Sequence, residues 1–393
     1  MKQISFRYRT VFIGVIILWI FPAMLLGQVK KGFTLEYTVS GIKDSMAWLC
    51  EIYGPQVIPI DSVRIVDEKL VFYSDTMPPQ GMYKVVFNDT LFTDIIITEH
   101  HIKMYSDVEN ILQKMQVLES EENRIMFDYW KFYMAILDTI YAIQEEGRAL
   151  YAVSGGKTSP ELDALQLRKQ QLEMRVLNYA AGLRQNYPRL FASTIIWSMQ
   201  KPDYYLHLAY GGSPYKSEEA FYRQRFFDRL DFSDERLLRT KVIFTMVNDY
   251  VQTFAKPPST KSYIRITDTI LQLARKNPKV YQYIVELFVK NFEASVWQNV
   301  FVYLVEHHYL KSERTPPYMK EAYAMRIKAM QNLEVGKSIP GICGVTTEGV
   351  EHCLHDPDTA MQFTLLFIWS LDCEECEEKL PGLNLIYKQY ASK

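Results

Sequence analysis

An α+β chain is predicted, with strands first, helices in the middle and a short α/β segment last. Three observations carry this. The apolar period is near two from Phe33 to about Met104, it becomes 3.6 from about Ser106 to Asn332, and β-like bursts return from Val335 onward. The 393 residues are 48% hydrophobic and 23% charged, enough to build more than one core, which excludes a disordered chain or a disulfide-dense miniprotein. A net charge of −2 leaves no basic field to draw the protein to nucleic acid. The segments expected are 1–27, 28–104, 105–332 and 333–393.

The first of these is an address. Lys2, Arg7 and Arg9 precede an apolar run from Val11 to Leu26, broken only by Gly14 and Pro22, and the small residue Gly27 stands before Gln28. Basic start, short apolar core and small exit residue read as a cleaved secretory signal peptide. The run is short of the about 20 apolar residues that a membrane span needs. An uncleaved anchor is the rival, and it would leave the protein associated with the membrane. Either way the remainder is expected in the periplasm or cell envelope, where disulfides are permitted.

The second segment alternates. Phe33-Thr34-Leu35-Glu36-Tyr37-Thr38-Val39 switches between apolar and polar at each step, and Leu70–Tyr73, Tyr83–Phe87 and Asp94–Thr98 are further β-rich bursts. Pro55, Pro59, Pro78-Pro79, Gly81 and Asn88-Asp89 punctuate them. Such runs predict an antiparallel sandwich or barrel-like domain. His100-His101 is a doublet, but neighbours on a strand point to opposite faces, so it predicts a surface or strand-end role and not a ligand pair.

The third segment predicts an all-α domain. Ile111, Met115 and Leu118 share one face, as do Met126, Trp130, Met134 and Leu137. Ser159-Pro160-Glu161 and Asn277-Pro278 are helix starts, because proline at the first helical position loses no hydrogen bond. Ser233-Asp234-Glu235 opens a helix carrying Leu237, Leu238, Val242 and Met246, and others are expected over about 264–276, 278–293, 300–310 and 317–332. Tyr210-Gly211-Gly212 reads as a loop that, through Tyr215, is either a binding edge or, the favoured reading, a connection. His307-His308 has no acidic or cysteine partner three or four residues away and carries no metal signal.

The last segment carries the chemistry. Thr347-Glu348-Gly349 reads as a hairpin turn, and Gln362–Trp369 is a nearly continuous apolar run, as in a strand buried on both faces. Cys373 and Cys376 follow at C-x-x-C spacing, at the start of a helical stretch. The free N–H groups and positive dipole end of a helix stabilise a thiolate on the first cysteine. The second sits one turn on, close enough to resolve a mixed disulfide.

The stretch Phe367-Ile368-Trp369-Ser370-Leu371-Asp372-Cys373-Glu374-Glu375-Cys376, with Leu380-Pro381 behind it, resembles the active-site segment of periplasmic thioredoxin-like proteins of the TlpA and AhpC/TSA type. Gly336-Lys337-Ser338-Ile339-Pro340 resembles the opening of that domain. Ile60–Val63 and Pro79–Tyr83 resemble a β-rich domain of unknown function that precedes such thioredoxins in exported proteins. Asp231–Leu238 and Tyr281–Val285 resemble a helical domain of unknown function set between the two. The resemblance implies thiol–disulfide exchange with protein thiols or disulfides, Cys373 as nucleophile, Cys376 as resolving thiol, and no cofactor.

Two departures stand out. Asp372, Glu374, Glu375, Glu377 and Glu378 surround the thiols where the family has apolar or neutral residues, so a less acidic Cys373 and a weaker oxidant are expected. The family's fold also continues past this helix, through further strands and a cis-proline loop, so the thioredoxin-like part is expected to be incomplete at Lys393. Three alternatives remain open. Cys343, Cys353, Cys373 and Cys376 together would make a zinc site, though the spacing of the first pair is unlike a zinc ribbon's. A purely structural Cys373–Cys376 bond is the second. The third is a non-catalytic envelope binding protein with a vestigial tail. Cys343 and Cys353 either face each other across the hairpin or are buried free thiols.

Overall fold

The computed structural model describes residues 32–43, 45–209, 214–333, 336–338, 341–353, 365–370 and 372–390. The expected signal peptide, the Tyr210-Gly211-Gly212 loop and the start of the apolar run at Gln362 lie outside these. The architecture is mixed α+β, with β-sheets toward the N-terminus and helices in the centre. The chain divides into two compact units, Met1–Lys320 and Glu321–Lys393, the division falling inside the last helix of the central region.

The first unit opens with β1 (Phe33–Ser40), β2 (Met46–Tyr53), β3 (Gln56–Arg64), β4 (Lys69–Ser74), β5 (Gly81–Val86), β6 (Phe92–Ile97) and β7 (His101–Asp107). A single helical turn, α1 (Ile111–Lys114), leads to β8 (Gln116–Glu119). These strands form two four-stranded sheets, β4-β1-β7-β8 and β3-β2-β5-β6. Alternation decides which side chains meet between them: Phe33, Leu35, Tyr37 and Val39 of β1 point inward with Leu49, Tyr83, Val85 and Ile95 of the other sheet. The Tyr37 hydroxyl bridges the sheets to Thr93 Oγ1 at 3.0 Å, and burial pushes its pKa up to about 12.

Two expectations are corrected here. The sandwich is not wholly antiparallel, because β7 runs parallel to β1, pairing Thr34 with His101 and Tyr37 with Met104. The chain visits the second sheet twice, for β2-β3 and for β5-β6, and returns to the first as β4 and then as β7, and a strand reached by crossover is free to run parallel. Strand structure also continues past Ser106. Asn110 caps the one-turn α1, and β8 then pairs with the edge of β7, Met104 opposite Val117. Met115 is thereby buried in the sandwich core while Leu118 is exposed, so the helical face read through Ile111, Met115 and Leu118 does not form.

The helices are α2 (Glu121–Val153), α3 (Pro160–Asn186), α4 (Phe191–Ser198), α5 (Tyr204–Ala209), α6 (Glu218–Arg225), α7 (Val242–Phe254), α8 (Thr260–Ala274), α9 (Pro278–Glu293), α10 (Gln298–Leu304) and α11 (Pro317–Asn332). Ser159 and Asn277 cap α3 and α9, with proline at the first turn of each. The helix expected from Ser233 through Met246 is instead broken. A 3₁₀ turn over Glu235–Arg239 stops at Thr240, whose hydroxyl donates to Leu237 O (2.7 Å) and accepts the Val242 N–H (3.0 Å), so one threonine ends one element and starts the next. The helix expected over 300–310 ends at Leu304 and continues as a π turn, Val305–Tyr309.

Polar side chains couple the helices to the sheets. The Asn123 amide both accepts the Ile96 N–H and donates to Ile96 O, each at 2.8 Å, satisfying the edge strand β6 as a further strand would. The neighbouring Glu122 carboxylate accepts the Phe191 and Ala192 N–H groups at 2.8 and 2.6 Å, capping α4, whose own cap residue supplies no side-chain hydrogen bond. On the outer face of the second sheet Arg239 Nε donates to Glu51 (2.6 Å), and Gly54 N–H donates to Leu238 O (2.9 Å).

The second unit contains a hairpin, β9 (Cys343–Val345) and β10 (Glu351–Cys353), and a terminal helix, α12 (Glu374–Tyr390). The hairpin turns through Thr347-Glu348-Gly349, with Gly349 at φ +81°. Residues 365–370 correct the expectation of a strand buried on both faces. They form no strand, and Leu365, Ile368 and Trp369 are exposed. A strand needs a sheet to join, and among the described residues of this unit only the three-residue strands of the hairpin offer backbone edges.

Candidate functional site

The C-x-x-C pair lies where the sequence spacing puts it. Cys373 immediately precedes α12, and its carbonyl accepts the Cys376 and Glu377 N–H groups at 3.0 and 3.2 Å, which makes it the residue that starts the helix. The Cys376 N–H also donates to Cys373 Sγ at 3.2 Å. The two sulfurs are bonded to each other, with Cα atoms 5.2 Å apart. Both residues are half-buried among exposed neighbours.

Opposing charges meet at this position. The helix end and the Cys376 N–H favour negative charge on the Cys373 sulfur once the bond opens. Glu374, Glu375 and Glu377 stand in the first turn and oppose it. Glu375 is paired with Lys379 at 2.8 Å, and this hydrogen bond to the ammonium holds its carboxyl below the usual range, so the pair is close to neutral seen from the sulfur. Asp372, Glu374, Glu377 and Glu378 form no ion pair with a described residue and supply the uncompensated charge.

The other cysteines sort plainly. Cys343 and Cys353 are directly opposite each other in the β9–β10 hairpin and are bonded, which settles the facing arrangement against two buried thiols. Glu351 brings a carboxylate to the same spot, and Cys343, Glu351 and Cys353 place ligand atoms within 4.8 Å of one another. In this oxidised form all four tail sulfurs are paired in two disulfides and none is a thiolate. Cys50 is a buried free thiol in the sandwich, pushed up by burial and so unreactive.

The histidine doublets part company. His101 on β7 lies between Glu119 (2.6 Å) and Glu36 (3.1 Å), while His100 Nδ1 meets Gly32 O at 2.7 Å, so the two imidazoles serve different partners. His308 is a cluster that sequence reasoning missed. The π turn buries it, with Nδ1 against the Tyr281 hydroxyl (2.8 Å) and Nε2 against Asp268 (3.2 Å), and Tyr303 donates to the same carboxylate at 2.8 Å. Burial pushes the imidazole below its ordinary value, Asp268 pulling the other way. A neutral ring donating to Asp268 and accepting from Tyr281 satisfies every member, so the cluster is a clasp joining α8, α9 and the π turn. Asp268 and His308 lie 40 residues apart, a distance no motif search spans.

No family model, curated protein or solved structure matches this chain in the comparisons made with each.

Proposed function

We propose that this chain is an exported thiol–disulfide oxidoreductase of thioredoxin-like type, with Cys373 as the nucleophile and Cys376 as the resolving thiol. The observation that carries the reading is the Cys373–Cys376 bond at the start of α12, where the nucleophile's sulfur accepts a helix N–H. In the reducing direction the Cys373 thiolate attacks one sulfur of a partner disulfide. That S–S bond breaks, and the departing partner sulfur leaves as a thiolate and takes a proton. Cys376, deprotonated in turn, attacks Cys373 Sγ and frees the second partner sulfur. The partner gains two electrons and two protons, and the pair ends as the disulfide. The same steps reversed oxidise a partner dithiol. The uncompensated carboxylates disfavour the thiolate form and bias the pair toward reducing its partners. Export to the periplasm or envelope is supported by the basic start and apolar run before Gln28 and by the two disulfides.

The test is a resolving-cysteine variant. Cys376→Ser, incubated with oxidised glutathione, should accumulate one glutathione on Cys373, and Cys373→Ser should accumulate far less on Cys376. Equal labelling of the two variants in intact-mass and peptide analysis would remove the asymmetry that the mechanism requires.

A further inference from the structure

A second site, independent of the thiol pair, lies in the helical region. The end of α6, the loop after it, α7 and α8 enclose a cleft of ≈ 730 Å³, within the usual range for small-molecule sites. Its floor is aromatic: Phe227 lies 4.8 Å from Tyr250 and 5.4 Å from Phe232, centre to centre, and all three are buried. Its rim is cationic. Arg265, Thr269 and Lys276 stand along one face of α8 and its end, and Arg223 faces them from α6. Arg223 is committed, donating to Glu219 (2.6 Å) and stacking over Phe254. The single acid of the lining, Asp228, is committed too, to Arg225. Arg265 and Lys276 form no ion pair with a described residue, although Lys276 lies in the field of Asp231, whose oxygen is held by the Ser233 N–H and hydroxyl.

The cleft therefore joins an apolar floor to two cations that form no ion pair with a described residue. We propose that it binds a small organic anion, an apolar and preferably aromatic body carrying one carboxylate, sulfonate or phosphate group. Arg265 and Lys276 hold the charge, and Phe227, Phe232 and Tyr250 the body. A guanidinium and an ammonium at the rim of an apolar wall recognise both halves of such a molecule. Arg265 and Lys276 are exposed at the rim, so their replacement by glutamine should leave the fold intact.

The probe is 8-anilinonaphthalene-1-sulfonate, with its uncharged relative N-phenyl-1-naphthylamine as the comparison, each titrated by fluorescence into the purified protein. The sulfonate should bind at one site, and raising the salt should weaken it while leaving the neutral probe unchanged. Arg265→Gln with Lys276→Gln should weaken the sulfonate about tenfold and the neutral probe less than twofold. Thr269→Trp, which fills the cleft from its rim, should abolish both. The proposal is overturned if the wild-type protein binds no sulfonate, if the double variant binds it as well as wild type, or if Thr269→Trp leaves binding intact while circular dichroism shows each variant folded.

Discussion

At the residue scale the Cys373 sulfur sits between a helix end that favours its charge and carboxylates that oppose it. The two influences separate experimentally because only one depends on side chains. Glu374→Gln with Glu377→Gln removes two uncompensated first-turn charges and leaves the Cys376 N–H and the helix end in place, so alkylation of reduced Cys373 near neutral pH should speed by roughly three- to tenfold, and less in high salt. A rate that does not change in iodoacetamide kinetics would show that the carboxylates are screened from the sulfur. His308 makes the second prediction at this scale. Burial lowers its pKa in the folded protein, so below about pH 6.5 the unfolded chain takes up a proton that the folded one does not. The unfolded state then binds more protons, and stability falls as pH drops through that window. His308→Gln keeps a donor and an acceptor but cannot titrate, so the fall in thermal midpoint between about pH 6.5 and 5 should flatten. An unaltered slope would place the pH dependence elsewhere.

At the element scale the sandwich and the helices are fitted to each other through glycines. Gly54, at φ +56° in the β2–β3 turn, lies against α9 so closely that a Cβ there would stand 1.9 Å from the Tyr283 hydroxyl oxygen. Gly54→Ala should therefore cost roughly 2–4 kcal/mol, part backbone strain and part overlap. Tyr283→Phe removes the clashing atom and should recover part of that loss, a coupling that a double-mutant cycle in urea reads directly. Additive losses would mean that the overlap is not the cause. The elements also show what was legible in the sequence. The starts of α3 and α9 are local events, a capping residue followed by proline, and Ser159-Pro160 and Asn277-Pro278 state them in two residues. The alternation of β1 is equally local, since one face of a strand is simply every second residue. β8 is not local. Its four residues become a strand because β7 presents a free edge, a fact of tertiary structure that overrides the helical spacing of Ile111, Met115 and Leu118. The parallel pairing of β1 with β7 and the Asp268–His308 clasp are of the same kind, made by partners distant in the chain. At the thiol site the spacing and the helix start were legible, and so were the surrounding carboxylates. That Lys379 offsets Glu375 follows from helical i, i+4 geometry and was overlooked.

At the scale of the whole molecule the chain divides its chemistry between its two units. The first holds the sandwich, the helices and the cationic cleft, all built on buried apolar faces. The second holds both disulfides, within a unit where α12 has no buried residue. The two disulfides differ in a way that isolates the central claim. Cys373–Cys376 is placed at a helix N-terminus, and Cys343–Cys353 bridges two strands with no helix to stabilise a leaving thiolate. Each therefore serves as the internal control for the other. The decisive measurement is the rate at which each pair opens in the intact protein under a dithiol such as dithiothreitol, followed peptide by peptide with isotopically distinct alkylating labels. Cys373–Cys376 should open at least tenfold faster than Cys343–Cys353 and re-form faster with oxidised glutathione. Equal rates for the two pairs, or a slower Cys373–Cys376, would contradict the account and leave that bond a structural one.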